Sequence, residues 1–496
     1  MKTDRLAWFA GLILASVVVS VESPAQGKDD GARHASVAEA ARQAWAITDL
    51  VLEQDIDPPA RQQMLLQGIK ALRRQSKGKT PSNLAERVSS VTTPEQFSAL
   101  LAELWPSEAN QIAAGWTDKG EHILFNGLLA WRMDGEDGQF YLTPQDAIRY
   151  ERIAGNRYVG TGIQIRINEK QKLTEIVVPF PGGPARKAGA RPGDLIVEVD
   201  GKSVEGLPLA KVVERLQGEE GTKVSMTVRQ PGQSQTRLLP MVRSIIPFTS
   251  VHGYRRTGEE SWTFTVDPSS AIGYLSFDDL KSSTLLELRK IEPLVLEEGT
   301  KALVLDLRFT RGDDIRHAAL VADGLLDSGV LWRVCDNNGR KKEYKADRDC
   351  LFRDTPMVVL VGEHTGSKAA AIAAALQDRG RAIVVGESPK VELTVTSLVR
   401  LPDEAGAVIL RTGLVERVAN APSTKQQRYG ASEHRLAPDH LVAIEQKDLG
   451  SVVDWRRQQE SPEPKADAKP PLDPQLQKAI ALLREAVDGS RKKDNK

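Results

Sequence analysis

The stretch MVVLVGEHTGSKAAAIAAALQD at 357–378 constrains the fold more tightly than any other segment of the chain. Five consecutive apolar residues, Met357 to Val361, leave no side for water, so they read as a strand buried on both faces. The chain then turns through small and polar residues and restarts as an alanine-rich run, the composition of a helix. A buried strand feeding a helix is one step of an α/β pattern, and that pattern runs from 270 to 450. Strands are predicted at 271–277, 302–307, 357–361, 382–385 and 393–400, with helices at 283–298, 315–326 and 367–377.

Two other textures precede this core. Between 35 and 75, Ala, Leu and Ile recur at helical spacing, interrupted once at Asp57-Pro58-Pro59, which predicts two packed helices. Further helices are predicted at 94–104 and 122–133, the latter ending in the polar turn DGEDG, so residues 33–155 form a small helical region. From about 158 the chain changes to short strands punctuated by Gly and Pro. There Pro184-Ala185 can open a short helix, Gly189 can close it, Asp200-Gly201 makes a tight hairpin turn, and Leu209 to Leu216 supplies an amphipathic helix. After the core, 456–472 is charged and Pro-rich and reads as a linker, followed by an amphipathic tail helix at 473–488 that docks on the core or on a partner subunit.

Charge excludes some partners. Lys+Arg and Asp+Glu both number 67, so no global field attracts nucleic acid or an anionic membrane. At the N-terminus, Lys2 and Arg5 precede an apolar run from Leu6 to Val21 and the small residues Ser23-Pro24-Ala25. This is the pattern of a secretory signal peptide over residues 1–25, and it places the remaining chain outside the cytosol, periplasmic or extracellular. An uncleaved segment would instead tether the protein to a membrane. Export makes the two cysteines informative, because thiols oxidise there. Cys335 and Cys350 flank a predicted hairpin with its turn at Asn338-Gly339, and a disulfide across it is expected, with two unpaired thiols as the alternative. Two cysteines without a neighbouring His supply too few ligands for a metal, and no phosphate loop or cofactor motif is present.

The order of parts resembles the carboxy-terminal processing peptidases, or tail-specific proteases. The marks that carry the resemblance are GQFYLTPQD at 138–146, GTGIQI at 160–165, ARPGDLIVEVDGKSVEG at 190–206, AIGYLSF at 271–277, VLDLR at 304–308, ALQDRGRAIVVGE at 375–387 and LAPDHLV at 436–442. It implies a multidomain α/β protein: the helical N-terminal region, an inserted PDZ domain at 156–243 that is β-rich with two helices, and an α/β serine-peptidase core at 250–455. It also implies an exported endopeptidase that needs no cofactor and recognises C-terminal segments of exported proteins. A PDZ domain takes a peptide as an added strand and holds its carboxylate on consecutive backbone N–H groups. Gly160, Thr161, Gly162 and Ile163, leading straight into a strand, occupy that place, since glycine lets backbone approach an anion closely.

For the chemistry, the resemblance implies a serine nucleophile with a lysine base. Counting back without a gap from Ala375-Leu376-Gln377-Asp378 puts Ser367 at the nucleophile's place, where a helix N-terminus favours developing negative charge. From the residues alone, Ser367 equally suits a helix N-cap. The lysine's register falls on Glu392 without a gap and on Lys390 with a two-residue deletion, which makes Ser367 and Lys390 the expected dyad. Lys368 adjoins the serine but is expected to point into solvent, and His364 is expected to be a polar turn residue. The family's NNPGG oxyanion turn is FTRGDD here, keeping Gly312 and placing Asp313 at the second glycine. Two expectations follow: a Ser/Lys endopeptidase fed by the PDZ domain, or an inactive pseudopeptidase that keeps the fold and binds tails.

Overall fold

The computed structural model of the chain describes residues 30–494 apart from 77, 107–119, 132–137, 155–158, 169–170, 181, 247–248, 259–260, 313, 348, 419–433 and 461–469. The N-terminal signal segment, Asp313 and most of the predicted linker lie outside the described residues. Among the described residues, no helix is long and apolar enough to cross a membrane.

The N-terminal region is helical as the periodicity predicts, with α1 (Asp30–Gln54) and α2 (Arg61–Gln75) separated at the Pro-Pro break. The next helix, α3 (Pro94–Leu104), starts on a capping box in which Thr93 and Gln96 satisfy each other's backbone N–H. The helix expected at 122–133 is α4 (Gly120–Leu128). Gly127 of α4 lies against α2, where an added Cβ would come within 2.9 Å of the Gly68 Cα. These helices share one apolar cluster that includes Phe97, Phe125, Val408 and Leu410, so they close on the core rather than standing apart.

The second region is a β-rich domain. Strand β1 (Phe140–Leu142) leads towards it, and its main sheet runs β2 (Ile163–Asn168), β3 (Leu173–Pro179), β4 (Leu195–Val199), β5 (Lys223–Arg229) and β6 (Thr236–Val242) in that spatial order. Helix α5 (Leu209–Leu216) spans the residues anticipated for it, and Ile165, Val212 and Leu216 join its core. Gly189 ends the short helix Pro184–Lys187 with φ +91°, and Asp200 and Gly201 turn the hairpin with φ 51° and 70°. β2 is an edge strand, paired only to β3 in that sheet.

The core is a parallel sheet: β7 (Ile272–Phe277), β8 (Ala302–Asp306), β11 (Met357–Val361) and β12 (Ile383–Gly386) pair in that order, and His440–Leu441 adds to the β12 side. Two antiparallel strands, β9 (Gly329–Cys335) and β10 (Lys341–Ala346), form the hairpin turned at Gly339, φ 74°. Side chains alternate strictly between faces, as a strand buried on both sides requires. Leu303, Leu305, Val359 and Val361 face the cluster formed with helices α6 (Thr284–Glu297), α7 (Ile315–Leu325) and α8 (Ser367–Asp378). Val304, Val358 and Leu360 face the other way, onto Ala479, Leu483 and Val487 of the tail helix α10 (Pro474–Asp494). The tail helix is thus the second cover of the sheet.

A second, antiparallel sheet was not anticipated. Strands β13 (Thr394–Arg400) and β14 (Ala407–Arg417) leave the central sheet, and β14 pairs with β13, β9 and β1. β1 therefore joins a strand about 270 residues away, register Phe140 to Ile409. The predicted linker also needs correction at its start: residues 456–460 are the last turn of helix α9 (Gln446–Glu460). Their charge does not make them linker, because Arg456 is buried and its guanidinium lies 3.9 Å from Asp306.

A buried ionic knot joins the tail helix to β8. Arg308 reaches Asp306 at 2.7 Å and Asp473, just before α10, at 2.9 Å, and Tyr274 donates to Asp306 at 2.7 Å. Burial pushes the Asp306 carboxyl up, but Arg308 and Arg456 outweigh it and hold it well below the usual carboxylate range.

The expected Cys335–Cys350 disulfide is absent; both cysteines are free. Cys335 pairs with Lys341 beside the hairpin turn, whereas Cys350 follows the far end of β10, beyond the Gly329–Ala346 pair. Ala346 stands five residue steps along the strand from Lys341, roughly 17 Å at 3.4 Å per residue, well past the 7 Å limit for bridging Cα atoms. Flanking a hairpin in sequence had suggested proximity, but Cys350 lies four residues past the last paired position.

Candidate functional site

The turn between β11 and α8 presents Ser367. Gly366 is the N-cap, in extended backbone, and makes no side-chain cap. Ser367 is therefore the first helical residue and not the cap, and its side chain points across to β13 rather than back onto its own helix. Its Oγ accepts the Thr394 N–H at 2.8 Å and donates to the Thr394 carbonyl at 3.1 Å, with the Thr394 hydroxyl 3.5 Å away. Both residues are 2% exposed. A serine becomes a nucleophile when a base takes its proton at about 2.6–3.2 Å. Here the groups at that distance are the backbone N–H and carbonyl of one residue, Thr394, and a carbonyl oxygen is not a base.

Lys390 stands elsewhere. It lies on the loop after β12, its side chain is 68% exposed, and its Nζ forms an ion pair with Glu363 at 2.5 Å. The structure brings Ser367 to Thr394 and Lys390 to Glu363, and does not join the two through a hydrogen bond. Glu392, the ungapped register, lies between two arginines, 3.4 Å from Arg435 and 3.8 Å from Arg411. His364 stacks on Phe309 with ring centroids 6.2 Å apart, which keeps it a turn residue.

Lys368 is a correction. It is fully buried, and its Nζ donates to the Thr396 hydroxyl at 2.9 Å. Successive residues do point in different directions on a helix, but the direction away from Ser367 here meets β13 and not water. Thr396 pairs in register with Arg411 on β14, whose Nε and Nη2 are buried without a hydrogen bond. Ser367 is thus held by Thr394 and Lys368 by Thr396, two contacts that the sequence pattern did not identify. The one signal available was the strand predicted at 393–400, which contains both threonines.

Gly312 is positioned by pairing. Arg311–Gly312 runs parallel to Asp279–Leu280, with Gly312 opposite Leu280. A Cβ on Gly312 would sit 3.0 Å from that of Leu280, so a larger residue here would have to push Leu280 aside. The same turn reaches α8, since the Gly366 N–H donates to the Thr310 carbonyl at 2.9 Å. That donor is consequently committed to the protein. Asp314, just after the turn, caps α7 by accepting the Arg316 N–H at 2.8 Å and pairs with its guanidinium. Burial raises its carboxyl, but Arg316 more than offsets this, and it sits below the usual range.

The second site is the loop ahead of β2. Gly160 pairs with Ser244, and Thr161 is buried. The Thr161 carbonyl accepts from the Ala185 N–H and the Gly162 carbonyl from the Phe180 N–H, both at 2.8 Å. In a trans peptide the N–H points opposite to the preceding carbonyl. Carbonyls turned into the domain therefore direct the Gly162 and Ile163 N–H groups outwards, side by side. Gly162 has φ +72°, which a glycine adopts without the penalty other residues incur, and its Cβ position is only 3.1 Å from Ile246 Cδ1. Beyond this nest, β2 and α5 contribute to one apolar cluster, with Ile165 and Val212 buried in it and the partly buried Ile163, Leu209 and Val213 packed against it.

Comparison with known proteins gives a match to the model of peptidase family S41 over residues 271–442 and to a PDZ domain model over 175–230. The Gly160–Ile163 loop precedes the second match. A chloroplastic C-terminal processing peptidase of Tetradesmus obliquus is 32% identical over 54% of this chain and 59% of its own length. The carboxyl-terminal-processing protease of a Picosynechococcus strain is 30% identical over 50% of this chain and 58% of its own. The chain thus spans under two thirds of the length of these curated relatives. Among solved structures, a photosystem II D1 C-terminal processing protease aligns with 84% of this chain and 99% of its own at 24% identity and TM-score 0.37.

Proposed function

The chain belongs to peptidase family S41, among the PDZ-bearing carboxyl-terminal processing proteases, and within that family we propose that it acts as a tail-binding protein whose serine site does not cleave. The ligand is the C-terminal segment of an exported protein. Its carboxylate takes the Gly162 and Ile163 N–H groups, its backbone adds to the free edge of β2, and an apolar last residue packs against α5. Export itself rests on the signal-like sequence at 1–25.

One observation carries the inactive reading: both hydrogen-bonding functions of the Ser367 hydroxyl are spent on the Thr394 backbone, in a site 2% exposed. Glu392 at the lysine's ungapped register supports it, since its carboxylate is paired with Arg435 and Arg411 rather than with Ser367.

A Ser367–Lys390 dyad, with Gly312 in the oxyanion turn, is the second reading, and the exposure of Lys390 favours it. An exposed ion pair such as Lys390–Glu363 is worth at most about 1 kcal/mol, so the lysine can leave Glu363 at little cost. The two readings separate in one experiment with the mature chain. Binding of a peptide with an apolar C-terminus is measured beside its amidated form, and cleavage of an unstructured protein bearing the same tail is followed with wild type, Ser367→Ala and Lys390→Ala. Tail binding that needs the free carboxylate, without cleavage, supports the first reading; cleavage lost in both variants establishes the dyad.

A further inference from the structure

The side chain of Arg411 is 9% exposed, and its Nε and Nη2 are buried without a hydrogen-bond partner among the described residues. We propose that this edge of the guanidinium is a receptor for a carboxylate, close to Ser367 and separate from the Gly160–Ile163 loop.

The geometry is set by the chain's other arginines. A guanidinium presents Nε–H and one Nη–H as parallel donors, a fork that matches the two oxygens of a carboxylate. Arg308 places Nε and Nη2 on the two oxygens of Asp306 at 3.0 and 2.7 Å. Arg417, on the same strand β14 as Arg411, places them on those of Asp378 at 3.0 and 2.5 Å. At Arg411 the same two donors meet no acceptor among the described residues. A buried arginine that only holds the fold together looks different: Arg243, 9% exposed, donates from Nε, Nη1 and Nη2 to the Leu216, Lys223 and Arg215 carbonyls at 2.9–3.1 Å. A buried donor without an acceptor costs its full desolvation, so a ligand that supplies two oxygens at once relieves both donors.

Position follows from register. Arg411 stands opposite Thr396, so the two side chains leave the same face of the sheet with Cβ atoms about 4.5–5.5 Å apart. Thr396 accepts from Lys368, and Thr394, two residues earlier on β13, holds the Ser367 hydroxyl.

Glu392 stands at the outer side of Arg411. Its carboxylate lies 3.8 Å from Nη1, too far for a hydrogen bond, and 3.4 Å from Arg435, and its side chain is 39% exposed. This pair balances charge without touching the Nε and Nη2 edge. Glu392 is thus the side chain that an incoming carboxylate displaces, and Arg435 keeps it paired when it moves. One planar fork takes one planar carboxylate, and a polypeptide C-terminus and a free small acid share that chemistry.

Thermal melting of the mature chain in sodium acetate, compared with sodium chloride at equal ionic strength, tests the site. Acetate is expected to raise the wild-type melting temperature beyond the chloride control, because a ligand bound only to the folded state stabilises it. In Arg411→Lys, which keeps the charge and loses the fork, the difference from chloride should vanish. Glu392→Gln removes the competing carboxylate at a partly exposed position and should lower the acetate concentration for half the shift about fivefold, the worth of an exposed ion pair. This second variant carries the test alone if Arg411→Lys does not fold. A short peptide with a free C-terminus, beside its amide, separates the sources. Carboxylate-dependent peptide affinity lost in Arg411→Lys and kept in Gly162→Ala identifies a chain end, and does so whether or not the tail-binding reading holds. Acetate protection with no Arg411-dependent peptide affinity identifies a free acid. No protection by acetate or peptide beyond the controls, protection that survives Arg411→Lys, or no tightening in Glu392→Gln would overturn the proposal.

Discussion

The Gly160–Ile163 loop and the Ser367 turn are both places where backbone N–H groups meet a chain reversal, yet they end in opposite conditions. In the loop, the Thr161 and Gly162 carbonyls are bonded inwards to the Ala185 and Phe180 N–H groups, which turns the next two N–H groups outwards, as the proposed carboxylate site requires. At the turn, the Gly366 N–H is committed to Thr310 and the serine hydroxyl to Thr394. What separates recognition from chemistry here is which polar groups the fold has left unspent. A buried strand and an alanine-rich helix reproduce the architecture of a peptidase turn whether or not the serine on it retains a base.

The contrast yields predictions of decreasing size. If the core is an intact scaffold independent of the PDZ groove, Arg308→Met should lower its stability by about 3–5 kcal/mol, because Asp473 would lose its buried guanidinium and Asp306 would keep only Tyr274 and the more distant Arg456. Chemical denaturation measures this, and peptide binding by the PDZ domain should survive it. Ser367→Ala should destabilise by about 1–3 kcal/mol, since it strands the Thr394 N–H and carbonyl. The sign matters: a strained catalytic serine commonly yields stability when replaced, and a gain in melting temperature would move Ser367 back towards chemistry.

Gly162→Ala should cost about 1–2 kcal/mol of peptide affinity, about tenfold, through its left-handed φ and the contact with Ile246, while leaving the core's melting unchanged. Fluorescence anisotropy with a C-terminal peptide reads it. The smallest effect concerns pH. Burial lowers the His252 pKa, but Asp278, 3.0 Å away, more than reverses this, helped by Glu460 and opposed by Arg456, so the folded value is raised. Its stabilisation is then fully present below about pH 6.5 and lost as pH rises through the folded value. Core melting should fall by less than about 1 kcal/mol equivalent from pH 6 to 8.5, and His252→Gln should flatten that slope.

Much of the fold was legible in the sequence because the signals were local. Wholly apolar strands, the Pro-Pro break, and Asp200-Gly201 each specify their own conformation, and α5 and β11 fall where expected. The antiparallel sheet was not legible, because β14 is defined by partners distant from it in sequence, Phe140 and Cys335 among them. The site divides in the same way. Ser367 could be counted from a local motif, but the fate of its hydroxyl depends on Thr394, and the burial of Lys368 on Thr396, both fixed by how β13 leaves the central sheet. Lys390 and Glu363 illustrate the converse, a pairing that alignment of a lysine register could not foresee.

The central claim is tested most directly by incubating the mature wild-type chain with an unstructured protein that ends in an apolar C-terminus and following its truncation by mass spectrometry, beside Ser367→Ala and Lys390→Ala. The account predicts that the tail binds through its free carboxylate and that wild type produces no more truncated product than Ser367→Ala. Truncation by wild type that disappears in both variants would contradict it and show that Lys390 leaves Glu363 to serve Ser367.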